Sequence, residues 1–474
     1  MNTRSPGSGN LRAQDVSGAV ADRHALRRTL LLDGPILSTV VRLSWPNVII
    51  MVAQAATGLI ETWYLSRLGT DVLAAMAIVF PVLMLMQTVS GGAFGGGISS
   101  AIARAIGADR RDEADALVLH AIVLTGGLGL VCSLVILGCG PSLYRALGGD
   151  GASLSAALTY SNVVFLGMPV LWIMNGLAAV IRGTGNLTIP AIGICGGVLI
   201  LVPLSPLLIF GIGPFPRIGV AGGGVALLVY YFCGAVFFGW YILSGRNAAR
   251  FRWVGLRGHV FSQILRVGAL AALSSVVTNA TIASATALIG HRFGAAEVAG
   301  FGTGARLEYL LVPLVFGVGG TLVAMVGMNV GAARGPRARS IALIGAAVCF
   351  AMTEGLGVAA AVAPALWLGL FGSDPAMIAA GSTYLRLVGP FYGLYGFGFA
   401  LYFANQGAGT LLWPVLGGLA RLVLVAGGGW LALTLTGSVV WLFAAIAAGL
   451  ATYGLILTVW TMRAGWGQAQ KKVI

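Results

Sequence analysis

Hydrophobic residues along the chain form twelve runs, each long enough to cross a bilayer as a helix. A helix rises about 1.5 Å per residue and needs roughly 20 apolar residues to span hydrocarbon. The longest polar connection on the side of the N-terminus divides the runs six and six. We therefore predict an all-α polytopic membrane protein with twelve transmembrane helices in two six-helix bundles. The predicted runs are 38–66, 72–103, 115–138, 152–183, 188–212, 218–244, 261–290, 297–329, 340–366, 376–405, 412–433 and 437–462.

Polar segments at both ends and in the middle of the chain define its predicted organisation. Residues 1–34 lack the apolar region of a signal peptide, so we expect them to form a cytoplasmic N-terminal tail. Residues 35–245 form the predicted N-lobe with spans 1–6. Residues 246–260 form a cytoplasmic linker, residues 261–463 the C-lobe with spans 7–12, and residues 464–474 a cytoplasmic C-terminal tail.

The composition agrees with this class, because 58% of the residues are hydrophobic, 9% are charged and the mean hydropathy is +0.93. The net charge of +14 is unevenly distributed across the predicted membrane. Of the 28 Lys and Arg residues, only Arg67, Arg145, Arg217 and Arg292 fall on predicted outer segments. This positive-inside bias is typical of a bacterial cytoplasmic membrane protein with both termini inside, and it explains the basic pI without nucleic-acid binding.

The two halves carry matching residues at a constant spacing of 224 positions, which indicates a duplication. The matching pairs are Gly107 and Gly331, Thr159–Tyr160 and Thr383–Tyr384, Gly183 and Gly407, Gly185 and Gly409, and Pro190 and Pro414. Because six spans is an even number, both halves start on the same side of the membrane. We therefore expect a parallel repeat whose two bundles face each other across a cleft.

Glu61 is a carboxylate in the second half of the first predicted span. Burying an ionised carboxylate in a membrane costs several kcal/mol unless it is paired or protonated, so such a residue is a functional candidate. Asn47, Gln54 and Glu61 recur at steps of seven, with Thr57 between the last two, so they share one face of the helix. We predict that Glu61 binds and releases a proton or cation.

Two other acids, Glu308 and Glu354, lie inside predicted spans. Glu308 is a candidate for a second coupling site or for a structural ion pair, and we expect it to pair with Arg386 at a similar depth. Glu354 is a further candidate. Arg421 is expected to answer one of these acids, since an unpaired arginine in hydrocarbon is costly. The candidate polar residues of the cavity are Gln54, Thr57, Asn175, Asn279, Arg386 and Arg421.

Several kinds of site are absent from the sequence. There is no GxxxxGK[ST] motif, and the only lysines are Lys471 and Lys472, so the chain cannot supply a P-loop lysine for ATP. The cysteines and histidines show no metal-ligand spacing, so we expect neither a metal nor another cofactor. An ion gradient is the remaining energy source, which favours a secondary transporter.

Three segments resemble a known family: WPN…GLIETWYLSRLGTDVLAAMA, RGTGNLTIP, and ARLEYLLVPLVFGVGGTLVAMVGMNVGAARGPRAR. They are similar to the multidrug and toxic compound extrusion (MATE) family, and most similar to its DinF-like branch. The resemblance covers nearly all of residues 38–463. It implies a V of two six-helix lobes that exchanges a proton or sodium ion for organic, often cationic, compounds.

The resemblance also implies a coupling residue. Glu61 stands where the family usually has an aspartate in the first helix. Leu201 and Ser205 stand where the family often has an Asn and an Asp in the fifth helix, which removes two oxygen donors from a family-type sodium site. We therefore expect multidrug efflux coupled to protons through Glu61, with sodium as the less favoured ion.

Two alternatives remain at this point. A flippase for lipid-linked oligosaccharides has a similar architecture, but it needs a cavity ringed by cations, for which only Arg306, Arg386 and Arg421 qualify. A membrane-embedded transferase or hydrolase is the more remote alternative. The expected partners are small organic substrates and membrane lipid, with no nucleic acid or ATP, and the chain is expected to act as a monomer.

Overall fold

The computed structural model describes residues 22–466, and every regular element in that range is a helix. Eleven helices are long and apolar enough to span a membrane, and a bent pair supplies the twelfth span. We number these spans 1–12 in chain order. They are Ile36–Ser66, Thr70–Gly107, Arg111–Ala146, Gly151–Leu166 with Met168–Gly183, Thr188–Phe210, Val220–Leu243, Gly258–Arg292, Ala295–Gly331, Gly335–Val362, Pro375–Ala408, Leu412–Thr436 and Val439–Arg463.

Three spans depart from regular α-helix where the sequence weakens the backbone ladder. Span 4 bends by 47° at Gly167, two residues before Pro169. Span 10 contains a 3₁₀ turn, Gly389–Phe391, around Pro390. Proline lacks the backbone N–H that a regular helix requires, which explains both breaks. Span 2 widens into a π-helical segment, Thr88–Phe94, within its glycine-rich sequence.

Each half of the chain buries its own apolar core. The core of the N-half, spans 1–6, includes Tyr160 and Trp172, whereas that of the C-half, spans 7–12, includes Tyr384 and Phe443. Because the spans alternate in direction, residues 244–257 lie at the same end of the bundle as the start of span 1. We call this end the linker side.

The halves meet most closely at the linker-side ends of spans 2 and 8. A Cβ atom added at Gly107 would lie 2.0 Å from the carbonyl oxygen of Met328, and one added at Gly331 would lie 2.1 Å from that of Arg104. Any side chain at these positions would overlap the facing backbone, so the contact requires glycine on both spans. Gly107 and Gly331 are one of the repeated pairs, and we call their contact the glycine seam.

The segment before span 1 is more than a polar tail. Residues 22–33 form a helix that packs against the glycine seam. The Arg28 guanidinium donates to the Gly107 carbonyl at 3.4 Å, while the Asn329 side-chain amide donates to the Leu31 carbonyl at 3.0 Å. This helix therefore contacts both halves. The rest of the predicted tails, residues 1–21 and 467–474, lies outside the described residues.

The linker is shorter than predicted, because span 7 begins at Gly258, whereas the hydropathy pattern predicts its start at residue 261. The linker contacts the N-half through the acidic first turn of span 3. The Asp115 carboxylate accepts the backbone N–H of Arg250 at 2.7 Å, and Asp112 pairs with Arg252 at the same distance. Acidic side chains at the start of a helix are also favoured by the helix dipole.

Candidate functional site

The largest cavity among the described residues has a volume of about 400 Å³ and lies mainly in the N-half. We call it the N-half cavity. Its walls come from spans 1, 2, 4, 5 and 6, and spans 8 and 10 close its side toward the C-half. The polar and charged residues that line it are Asn47, Gln54, Thr57, Glu61, Thr62, Gln87, Thr88, Ser99, Tyr160, Asn175, Arg182, Tyr230, Tyr231 and Gln406.

Glu61 is buried in the wall of this cavity, with only 7% of its surface exposed. Its Oε1 atom accepts a hydrogen bond from the Tyr160 hydroxyl of span 4 at 2.8 Å. On span 6, a Cβ atom added at Gly223 would lie 3.3 Å from the same oxygen. The missing side chain at Gly223 therefore leaves room for the carboxylate. Among the described residues, Glu61 is the only acid that lines this cavity.

The polar face predicted for span 1 does face the cavity. Gln54 and Thr57 line it beside Glu61, and the Thr57 hydroxyl donates to the Ala53 carbonyl at 2.7 Å. Asn47 lines its border with the C-half and donates to the Gly317 carbonyl of span 8 at 3.3 Å. The face thus carries the carboxylate at one end and a contact between the halves at the other.

Asn175 also lines the N-half cavity, as predicted from the sequence. Its side-chain amide donates to the Ser90 hydroxyl at 2.7 Å. Ser90 belongs to the π-helical segment of span 2, so this bond joins the middle of span 4 to the widened turn.

A second cavity, of about 270 Å³, lies in the C-half, and we call it the C-half cavity. Glu308, Arg421 and Asn279 all line it. Glu308 forms an ion pair with Arg421 at 3.7 Å and accepts a hydrogen bond from the Tyr384 hydroxyl at 2.7 Å. The Arg421 guanidinium also lies 4.8 Å from the ring centre of Tyr395. This acid is therefore neutralised by a buried cation, whereas Glu61 is not.

The expected pairing of Glu308 with Arg386 is wrong, and Arg386 does not line either cavity. Arg386 is exposed on span 10, and Arg421 of span 11 takes its place as the partner of Glu308. Successive residues of a helix are about 100° apart, so Arg386 points away from Tyr384, which is two positions earlier and faces Glu308. Sequence gives the depth of a residue in a span more readily than its direction.

Glu354 lies outside the residues that line the two cavities. Its carboxylate accepts the backbone N–H of Gly393 at 2.7 Å, just after the 3₁₀ turn of span 10. A broken helix leaves backbone donors without their usual acceptors, and this carboxylate satisfies one of them. The contact favours a structural role for Glu354.

Three residues at these sites were missed as candidates from the sequence. Tyr160 and Tyr384 were visible only as a repeated pair, although each proves to donate to a buried carboxylate. That repetition was the available signal. Arg182 lies at the end of span 4, where hydropathy alone assigns an arginine to the membrane surface, yet it lines the N-half cavity.

The sequence model of the MatE family matches residues 46–207 and 271–431, which together make up more than half of the chain. The chain belongs to the MatE family. MatE proteins are membrane transporters and not enzymes, which removes the transferase and hydrolase alternative. The two matched ranges fall in the two halves, in agreement with the repeat of 224 residues.

Curated relatives cover most of this MatE chain. It is 29% identical to the "FAD transporter" of Shewanella oneidensis, over 79% of this chain and 82% of the relative. It is 24% identical to the "Multidrug export protein MepA" of Staphylococcus aureus strain N315, over 81% of this chain and 85% of the relative.

Solved structures confirm the predicted MATE fold. A crystal structure of MATE in the straight conformation matches 94% of this chain and 99% of its own, with 24% identity and a TM-score of 0.83. An outward-facing MATE family transporter matches 94% and 99%, with 24% identity and a TM-score of 0.82. The placement in the DinF-like branch stays a prediction.

Proposed function

We propose that this MatE protein exports small organic compounds in exchange for protons, and that Glu61 is the coupling residue. The main support is that Glu61 is the one carboxylate, among the described residues, that lines the largest cavity. A proton and a cargo molecule that bind in the same cavity can influence each other's affinity, which is what exchange requires. The relatives named for FAD transport and multidrug export support an organic cargo.

The hydrogen bonding of Glu61 offers a means of coupling. An ionised carboxylate only accepts hydrogen bonds, and Tyr160 donates one at 2.8 Å. A protonated carboxyl group adds a donor that needs an acceptor of its own, so proton binding changes the contact between spans 1 and 4. An ionised carboxylate in a buried site is costly unless a donor or cation faces it. In this scheme, a cationic cargo stabilises the ionised form and proton binding releases that cargo.

The surroundings of Glu61 support a proton over a sodium ion. Sodium, as a hard cation, needs several oxygen ligands at once. Within the described residues, Glu61 accepts one side-chain hydrogen bond, and Leu201 contributes no side-chain oxygen to this half. A proton needs only the carboxylate itself.

We also propose that the linker side is cytoplasmic, because the arginine-rich segments collect there. The glycine seam then closes the cytoplasmic end of the bundle. Each cavity lies within one chain, which supports function as a monomer. The flippase alternative is weaker, because each cavity is lined by a single arginine among the described residues, and Arg421 is already paired.

The coupling ion can be tested with purified protein in vesicles loaded with ethidium. A pH gradient and a sodium gradient are imposed separately, and ethidium fluorescence reports efflux. The proposal expects efflux under the pH gradient and none above empty vesicles under the sodium gradient. Efflux driven by sodium alone would contradict proton coupling.

A further inference from the structure

The linker-side end of the N-half cavity carries a cation without a partner. Arg182 lies in the last turn of span 4 and lines the cavity. Within residues 22–466, its guanidinium makes no ion pair and no hydrogen bond. It lies against span 2, where a Cβ atom added at Gly95 would be 3.3 Å from Nη2. A guanidinium carries five N–H donors, so this one has its donors free for a ligand.

Two more polar atoms without partners lie in the same lining. Ser99 Oγ and Gln406 Oε1 are buried and have no hydrogen-bond partner among the described residues, and their side chains are 2% and 1% exposed. Both residues line the N-half cavity. A buried polar group without a partner costs about 1–3 kcal/mol, so several in one cavity indicate a site built for a polar ligand.

The position of these groups follows from the internal repeat. Arg182 and Gln406 are equivalent residues, 224 positions apart, and they meet where the two halves join. Gln406 reaches span 2 because residue 96 is glycine: a Cβ atom there would lie 2.2 Å from the Gln406 amide nitrogen. That nitrogen donates to the Gly92 carbonyl at 3.1 Å. The N-half thus contributes a charge where the C-half contributes an amide.

We propose that Arg182 and Ser99 form an anion subsite, and that the cargo includes aromatic compounds that carry a carboxylate or phosphate group. An arginine binds either group with two parallel hydrogen bonds, and a serine hydroxyl adds a third donor. This inference rests on the proposed function, because it assumes that cargo occupies the N-half cavity.

The rest of the cavity fits an aromatic body attached to such a group. Its walls include Phe80, Tyr230, Tyr231, Phe316 and Phe403. Tyr160, which binds Glu61, and Arg182 are 22 residues apart on span 4, or roughly 30 Å along a helix. The anionic group therefore binds far from the Glu61 carboxylate, while the ring system occupies the space between the two.

Riboflavin and FMN provide a matched pair of probes, since they share one ring system and differ by a phosphate. Quenching of flavin fluorescence on titration with detergent-solubilised protein gives both dissociation constants. We expect FMN to bind about tenfold more tightly than riboflavin, in line with one charge-assisted contact. Arg182→Gln should bring the ratio close to one, Arg182→Lys should retain part of it, and Ser99→Ala should lower it several-fold.

The exposed Arg306 provides the control, because Arg306→Gln removes an equal charge outside both cavities and should keep the wild-type ratio. Equal affinities of the wild-type protein for the two flavins, or an unchanged ratio in folded Arg182→Gln, would overturn the proposal. Loss of the FMN preference in bilayers containing phosphatidylglycerol would assign the subsite to lipid headgroups and would also overturn it. Proton-driven ethidium efflux by the wild-type protein tests the proposed function separately.

Discussion

Tyr160 and Tyr384 occupy equivalent positions 224 residues apart, and each hydroxyl donates to a buried carboxylate, at 2.8 Å and 2.7 Å respectively. The two acceptors are not equivalent, because Glu61 comes from span 1 and Glu308 from span 8. The repeat counterpart of Glu308 in the N-half is Met84. The duplicated scaffold thus holds one carboxylate that is free of cations and another that is neutralised by Arg421.

Removing the hydroxyl of Tyr160 should impair coupling. Tyr160→Phe deletes the donor to Glu61, and a hydrogen bond to a charged group is worth about 1.5–3 kcal/mol. We expect proton-driven ethidium efflux to slow about tenfold, measured in vesicles at a fixed pH gradient. Tyr384→Phe is the matched variant in the other half and should change efflux less than twofold. Equal losses in the two variants would argue against a special role for Tyr160.

Breaking the ion pair of the C-half should destabilise the protein. Glu308→Gln leaves Arg421 as a buried cation without its counter-ion, which costs about 3–5 kcal/mol. We expect a clear fall in the melting temperature of the protein in detergent. The double variant Glu308→Gln with Arg421→Gln removes both charges and should recover part of the loss. A double variant less stable than Glu308→Gln alone would contradict the structural ion pair.

The glycine seam should tolerate no side chain. Gly107→Ala places a methyl group 2.0 Å from the Met328 carbonyl oxygen, so spans 2 and 8 must separate. We expect a loss of about 1–3 kcal/mol of stability, typical of overpacking, as a lower melting temperature in detergent. Gly127→Ala is the control, because a Cβ atom there meets nothing within 4 Å. Equal melting temperatures for the two variants would show that the seam is looser than described.

The helix of residues 22–33 should dock less firmly in acid. Its His24 ring lies 3.0 Å from the Arg246 carbonyl, and burial lowers the pKa of His24 below its usual value near 6.5. The undocked histidine then takes up a proton at a higher pH than the docked one. Docking is fully stable above about pH 6.5 and weakens as the pH falls through the lower, docked pKa.

Hydrogen exchange of the amides in residues 22–33, corrected for intrinsic rates, measures this effect. We expect less protection at about pH 5.5 than at about pH 7.5, and a smaller difference between the two pH values in His24→Gln. Protection that does not change with pH in the wild-type protein would contradict the prediction.

The fold and the coupling residue were predictable because they depend on hydropathy and depth. Apolar runs reveal the spans, and an acid within one of them must be buried or paired. The partner of Glu308 was not predictable, because it depends on the direction in which each residue points around its helix. Arg386 has a suitable depth and the wrong direction, whereas Arg421 has both. Arg182 was missed for a different reason, since hydropathy places a terminal arginine at the membrane surface.

The role of Glu61 is tested most directly by proton-driven ethidium efflux from vesicles containing Glu61→Gln. Glu354→Gln serves as the matched control, because Glu354 is a carboxylate within a span that accepts a backbone N–H, which a glutamine oxygen can also accept. We expect Glu61→Gln to release ethidium no faster than empty vesicles, while Glu354→Gln keeps at least half of the wild-type rate. Wild-type efflux by Glu61→Gln under the same pH gradient would contradict coupling through this carboxylate.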